Sequence, residues 1–336
     1  MANYELCIDM GSNYTTIYKK HTGVVLREPT IAIIEPSAKT LKVSKIGLEA
    51  EKMWGKTGDD EVVVHSIVEG VIKNVELTER ILMYFLNKVV KYKLVKPAIK
   101  IIVCLPIGLN ESEYEDYKKV FYAIGFAKIN FVYNIVSASF VDAPFLLNNK
   151  ASMLVDLGGS KTEIGIVMGG RLISGCTLNV GGNLIDEAIV DYLHSTKGYL
   201  LSMQVAGKLK REVGSLYETD KSNMEVLVED ENTKNKISTI ISAKDIMRPI
   251  YEGYLKIVQA INGFFGECSS EIALDVKNDG IVFFGGGSQI TGLENFFKKA
   301  LKMTVFQLDN PEFAGVLGSE KLFSNPNLLQ KVVEDN

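Results

Sequence analysis

Two stretches of the chain carry the same chemically suggestive spacing. Residues 5–17 read ELCIDMGSNYTTI and residues 152–164 read SMLVDLGGSKTEI: an apolar run, an Asp, a Gly two positions later and a Thr four after that. Asp9, Gly11 and Thr15 thus correspond to Asp156, Gly158 and Thr162. Short turns of Gly and Ser let successive backbone N–H groups converge on an anion, with side-chain hydroxyls as further donors. One Asp closing the strand before each turn can hold Mg²⁺ through water, since this hard ion keeps much of its hydration and takes few carboxylates. Either turn alone is an ordinary tight hairpin; the duplication argues for a nucleoside triphosphate gripped by two such turns. Lys161 sits in the second turn and is open to two readings, as a cation on a phosphate or as a lysine pointing out to solvent. The SKT at 160–162 only imitates a P-loop, because Val155 and Ser160 stand where that motif needs Gly.

A third cluster, Gly285, Gly286 and Gly287 in GIVFFGGGSQITGLENFFKKAL, is expected to join a buried strand to an amphipathic helix, a place where phosphate or nucleoside can lie against backbone. Around these points the pattern alternates strands and helices. Both repeats continue into a second apolar strand and read as β-hairpins. VELTERILMYFLNKVVKY places Leu77, Ile81, Leu82 and Phe85 at helical spacing and precedes the strand IKIIVCLP. A helix over 111–124, the strand INFVYN, and a helix starting at Gly181 and Gly182 follow, and residues 197–250 read as helical with a polar β-like insert. The fold class is therefore α/β, a parallel or mixed sheet with helices on its faces in each of two related domains.

Composition narrows the function. The chain has 336 residues, and its 37 Lys and Arg against 41 Asp and Glu leave a net charge of −4, too near neutral for a nucleic-acid partner. Cys7, Cys104, Cys176 and Cys268 follow no CxxC spacing and read as free thiols in a reducing compartment. His21, His65 and His194 lack the short spacings of a zinc site. With neither a signal-peptide layout at MANYELCID nor an apolar run near the roughly 20 residues of a membrane span, a cytoplasmic location is expected.

The two DxGxxxT hairpins and the late triple glycine resemble the actin, sugar-kinase and heat-shock-chaperone superfamily. Longer stretches, LREPTIAI at 26–33, VEGVIKNVELTERIL at 68–82, LPIGLNESE at 105–113 and VDLGGSKTEIGIV with GGNLIDEAI, are similar to the MreB family of bacterial actins, from Glu5 to about Phe323. The resemblance implies a duplicated actin-like, ribonuclease-H-like fold around a nucleotide cleft. Domain I would cover 1–143 with an insert (IB) near 31–72, domain II 144–314 with an insert (IIB) near 183–245, and 315–336 would return to domain I. It also implies ATP and Mg²⁺ as ligands and self-assembly into double protofilaments at the inner face of the cytoplasmic membrane, with paralogous filaments as further partners and cell shape or related organisation as the role. Asp9, Gly11, Ser12, Asn13 and Thr15 match the first phosphate loop; Asp156, Gly158, Gly159, Ser160 and Thr162 match the second. Gly181 and Gly182 join them, Gly285 to Gly287 match the adenosine motif, and Lys210 the basic residue beside base or ribose.

Departures fall in the same site. Tyr14 stands where the family usually has Asn, Gly207 where it has a ribose-contacting Glu, Asn134 where it has a Glu near the reacting water, and Lys161 where it has Thr. An amide can orient a water but cannot act as a general base, so slow hydrolysis is expected, with Asn134 and Lys161 as degenerate catalytic positions. Leu94 and Val95 fall at the apolar loop with which MreB proteins touch lipid, flanked by Lys88, Lys91, Lys93, Lys96 and Lys100; the same segment also reads as a helix end with solvated lysines. Alternatives from the same superfamily are a small-molecule kinase, which needs a catalytic carboxylate that Asn134 does not supply, and a chaperone-like nucleotide module.

Overall fold

Both faces of the central strands are covered, which is why these strands read as nearly unbroken apolar runs rather than alternating ones. In this computed structural model, which describes residues 4–36, 40–55, 58, 60–91, 97–125, 127–141 and 150–334, strand β1 (Tyr4–Met10) buries Leu6, Cys7, Ile8 and Met10 alike. Leu94 and Val95, with Lys93 and Lys96, lie outside the described residues.

The chain separates into two compact units. Unit 1 (Met1–Asn148, Val167–Gly175 and Phe313–Asn336) holds a five-stranded sheet built from β1, β2 (Tyr14–Lys19), β3 (Gly23–Pro29), β4 (Ile99–Leu105) and β5 (Ala127–Tyr133), in the order β5-β4-β1-β2-β3. β1 runs antiparallel to β2, with Asp9 opposite Thr16, and parallel to β4, with Asp9 beside Cys104. On one face the helix Val75–Val89 buries Leu77, Ile81, Leu82 and Phe85 in one cluster with Leu6, Ile8, Ile101 and Val103. Asn74 starts that helix by accepting from the Leu77 N–H at 2.9 Å, and an Asn110–Glu113 capping box starts the helix Glu111–Tyr122. The helix Ala314–Ser324 packs on β1 and β2 and is tied to them by the Tyr18 hydroxyl, which donates to Glu320 at 2.5 Å. Cys7 and Cys104 are buried free thiols with their sulfurs 3.5 Å apart.

Unit 2 (Asn149–Ile166 and Cys176–Glu312) is built on the same plan. The second five-stranded sheet consists of β6 (Ala151–Leu157), β7 (Thr162–Met168), β8 (Arg171–Leu178), β9 (Ile281–Phe284) and β10 (Val305–Gln307), in the order β8-β7-β6-β9-β10, all in unit 2 except the Val167–Gly175 part of β7 and β8. β9 is parallel to β6, which sets Asp156 beside Phe284. Helices Gly182–Lys197, Met203–Val213, Ala243–Gly266 and Leu293–Leu301 contribute Ile185, Leu209, Ile257 and Phe297 to one buried cluster with Val155 and Phe283. The polar β-like insert is an antiparallel pair, Asn223–Asp230 with Lys236–Ser242.

The structure corrects one expectation. Gly285 to Gly287 do not lead straight into a helix: a 3₁₀ turn, Gly286–Gln289, comes first, and the helix Leu293–Leu301 starts only after Gly292 at φ 88°. The Ser288 hydroxyl donates to the Gly285 carbonyl at 2.8 Å, holding the chain in the tighter turn. Among the described residues no helix is long and apolar enough to cross a membrane.

Candidate functional site

The first turn joins β1 to β2 through residues 11–13 and is closed by the Gly11 N–H donating to the Tyr14 carbonyl at 3.0 Å. A side chain at Gly11 would press on that carbonyl, its Cβ 3.1 Å away. The backbone of Ser12 and Asn13 is held from outside. The Thr30 N–H donates to Asn13 O at 2.9 Å, and His65 Nδ1 lies 3.0 Å from Ser12 O, so this nitrogen carries the proton in the contact. The Gly70 N–H reaches Ser12 Oγ at 3.3 Å. Thr15 is fully buried, its hydroxyl 2.9 Å from that of Thr30. Tyr14 supports a cation: the Arg27 guanidinium lies 4.4 Å from its ring centre and 5.4 Å from that of Phe313.

Asn134 opens the short helix Asn134–Ala138. Its amide oxygen lies directly against Gly315, where a Cβ would collide with it, and the Ser137 hydroxyl donates to Gly315 O at 2.6 Å. Gly315 and Gly318 therefore let the helix Ala314–Ser324 approach the Asn134 helix at backbone distance.

The second turn repeats the first. The Gly158 N–H donates to Lys161 O at 3.0 Å, leaving Gly159 and Ser160 at the tip. The helix Gly182–Lys197 abuts it: the Gly182 N–H donates to Gly158 O at 3.0 Å and the Asn183 N–H to Gly159 O at 2.7 Å. Gly181 is a steric requirement, since its Cβ would fall 2.6 Å from Gly159 O and Lys161 N. Two of the helix's initial N–H groups are thus already engaged with the turn. Thr162 is fully buried and donates to Val180 O at 2.7 Å. Both threonines of the repeat therefore turn their hydroxyls inward and pin the hairpins, which leaves Ser12 and Ser160 as the hydroxyl-bearing side chains of the turns themselves.

Lys161 does not point into solvent. Its Nζ lies 2.8 Å from Glu163 Oε1, with the two side chains 12% and 5% exposed. Lys210 is likewise paired, 2.7 Å from Asp186 Oδ1, and donates to Gly182 O at 2.5 Å. Burial pushes the Asp186 carboxyl up despite the nearby Lys210 charge, and pushes the Lys210 ammonium down despite Asp186. Gly207 borders this pair: a Cβ there would come within 3.1 Å of Asp186 Oδ2 and 3.2 Å of Arg211 Nη1.

Asp156 and the triple glycine meet. Gly285, at φ 82°, places its α-carbon where a Cβ would strike the Asp156 carboxylate, and its N–H donates to Pro311 O at 2.9 Å. The Tyr254 hydroxyl donates to Gly287 O at 2.5 Å, and a Cβ on Gly287 would crowd Leu157 O at 2.9 Å. Glycine is thus required for the Asp156 strand end and the Gly285 turn to touch. Among the described residues no three His, Cys, Asp or Glu side chains gather as a metal cage. A single carboxylate such as Asp156 at the end of its strand fits Mg²⁺, which keeps several waters and binds through one or two carboxylates plus phosphate oxygens.

Sequence reasoning singled out Asp156, Gly181 and Gly285 but missed their supports. Glu163 and Asp186 pair with the two lysines, and Thr30, His65 and Gly70 hold the first turn. Only Glu163 left a signal, standing two residues beyond Lys161 and so on the same side of the emerging strand.

Comparison with known proteins bears on what this geometry serves. Over 312 residues the chain is 28% identical to the cell shape-determining protein MreB of Haemophilus influenzae, covering 91% of this chain and 89% of that one. Its fold is that of MreB5 of Spiroplasma citri, whose crystal structure bound to ADP superposes with a TM-score of 0.89 at 21% identity over 98% of each chain. The AMPPNP-bound crystal structure of the same protein gives 0.87 at 21% identity, over 96% of this chain and 97% of that one. A MamK double helical filament shares the fold at 0.77 and 17% identity, over 96% and 99%. The model of the MreB/Mbl protein family matches residues 3–331, from the first strand into the last helix, and the chain belongs to that family.

Proposed function

We propose that the chain is an ATP-binding cytoskeletal protein that assembles with copies of itself into actin-like filaments on the inner face of the cytoplasmic membrane, in the service of cell shape or related organisation. The observation that carries the reading is the second turn. Gly158 to Lys161 are clamped from below by the helix Gly182–Lys197, and the neighbouring Asp156 is pressed against Gly285, so backbone donors, a hydroxyl and a carboxylate sit on one rigid frame. Such preorganisation suits a polyphosphate, because the donors need little reordering when the anion arrives. Relatives whose names describe cell-shape determination, and a structural neighbour bound to ADP and AMPPNP, support the same reading.

In this reading Ser12 and the backbone of the first turn contact phosphate, Ser160 and the second turn do likewise, and Lys210 with the triple glycine faces the nucleoside. Asp9 and Asp156 would each hold Mg²⁺ through water, and the ion would draw charge from the phosphate oxygens. Turnover is slow because Asn134 has no carboxylate with which to take the proton of an attacking water, and its amide oxygen is lodged against Gly315. Membrane contact rests on the sequence around Leu94 and Val95, where lysines favour anionic lipid by about 1 kcal/mol each.

Sedimentation with ATP, with a non-hydrolysable analogue and without nucleotide, each with and without anionic vesicles, tests the reading. Nucleotide-dependent polymer that co-pellets with vesicles is expected. Absence of polymer under every condition overturns it.

A further inference from the structure

The ion pair of Lys161 and Glu163 belongs to the second turn, yet its carboxylate has no part in the function described above. We propose that Glu163 sets how strongly the site favours a nucleoside triphosphate over a diphosphate, by competing with the terminal phosphate for the Lys161 ammonium. The inference rests on the reading of residues 158–162 as a phosphate loop.

The geometry supplies the reasons. Lys161 is the last residue of the turn, its carbonyl fixed by the Gly158 N–H, and Thr162 begins β7 with its hydroxyl bound inward to Val180 O. Alternation along an extended chain then sends the side chains of Lys161 and Glu163 to the side opposite Thr162, where Nζ and Oε1 meet at 2.8 Å. Exposures of 12% and 5% separate this contact from the solvated ion pairs elsewhere on the protein, such as Arg80 with Glu76 at 46% and 59%. Neither charge is cheap to strip of its partner in such a place. Drawing the ammonium away from Glu163 therefore calls for a competing anion of comparable charge.

If the turn is a phosphate loop that meets the terminal phosphate, a triphosphate would bring that anion to it and a diphosphate would end one phosphate short. Binding of the longer nucleotide thus carries the cost of drawing Lys161 from Glu163, and binding of the shorter one does not. Glu163 damps a preference that a free lysine would make steep. No bond is made or broken in this step; only an ion pair is exchanged.

Equilibrium binding of ADP and of the β,γ-imido analogue of ATP, with Mg²⁺ and below the polymerisation concentration, tests the proposal on the full chain. Glu163→Gln keeps the shape and a hydrogen-bonding oxygen for Lys161 but removes the charge. It is expected to tighten the imido analogue by about tenfold while leaving ADP within about twofold, as one charge released near a phosphate at intermediate effective dielectric implies. Lys161→Thr is expected to weaken the analogue selectively, and adding Glu163→Gln to it is expected to change little further because no ammonium is left to compete for, with thermal melts confirming that each variant is folded. Equal changes for ADP and the analogue in Glu163→Gln, or no change in either, overturn the proposal while leaving the phosphate-loop reading standing. Failure of the wild-type chain to bind either nucleotide overturns both.

Discussion

Removing Asp186 exposes what its pairing with Lys210 contributes. The two side chains are 11% and 14% exposed and 2.7 Å apart, so Asp186→Ala leaves an ammonium largely out of water and beside the positive Arg211. Breaking one side of a buried pair costs about 3–5 kcal/mol. Lys210 keeps its bond to Gly182 O, which places the expectation near the lower end, about 3 kcal/mol. The two charges titrate in opposite senses. Burial raises Asp186, so its ionisation costs the fold stability as pH climbs through that raised value; burial lowers Lys210, so its protonation costs stability as pH falls through that lowered value. Between those two values both costs are present, and the pair as a whole adds little. The double variant Asp186→Asn, Lys210→Met should therefore lie within about 1 kcal/mol of wild type although Asp186→Ala does not. Urea unfolding followed by circular dichroism measures both, the single change lowering the midpoint of unit 2 by about 1–2 M. If the double variant loses as much as the single, the pair is a net source of stability and the argument fails.

Three further outcomes follow from the same geometry. Hydrogen bonds from the Tyr18 hydroxyl and the His21 N–H hold Glu320 below the ordinary carboxylate value against the burial that would raise it, so its contribution is present at neutral pH and is lost as pH falls through the lowered value. Tyr18→Phe should cost about 1 kcal/mol at pH 7 and progressively less in acid, and a stability gap that stays constant with pH would count against this linkage. Gly315→Ala drives a methyl group into the Asn134 amide and should destabilise unit 1 by about 1–3 kcal/mol in chemical denaturation; a neutral effect would mean that the two helices are not in backbone contact. Asn134→Glu together with Lys161→Thr should accelerate single-turnover ATP hydrolysis by at least about tenfold, the longer Glu turning away from Gly315; unchanged rates would place the slow step elsewhere.

Much of the fold was legible because its signals are local. The hairpins at Asp9 and Asp156 follow from apolar runs broken by Gly and Ser, and the helix Val75–Val89 from Leu77, Ile81, Leu82 and Phe85 at one spacing behind an Asn cap. The break after Gly285 was not legible, since a 3₁₀ turn and a helix start share the same glycine and serine content and differ here through one hydroxyl bond within the turn. In the candidate site, the types Asp, Gly and Ser marked the turns, but the direction of a side chain is set by packing. The repeated threonines match the phosphate loops of the family by resemblance, and in the structure their hydroxyls are buried against Thr30 and Val180, where they pin the hairpins. Asp186, 24 residues before Lys210 in the sequence, is joined to it only once two helices pack together.

Polymer mass and phosphate release, followed together in one ATP-containing sample and beside the imido analogue, test most directly whether this chain is built to hold ATP more than to cut it. The account predicts polymer that reaches the same plateau with either nucleotide, no polymer without one, and phosphate that appears only well after the plateau. Polymer that forms equally without nucleotide, or that rises in step with phosphate and not at all with the analogue, would contradict it.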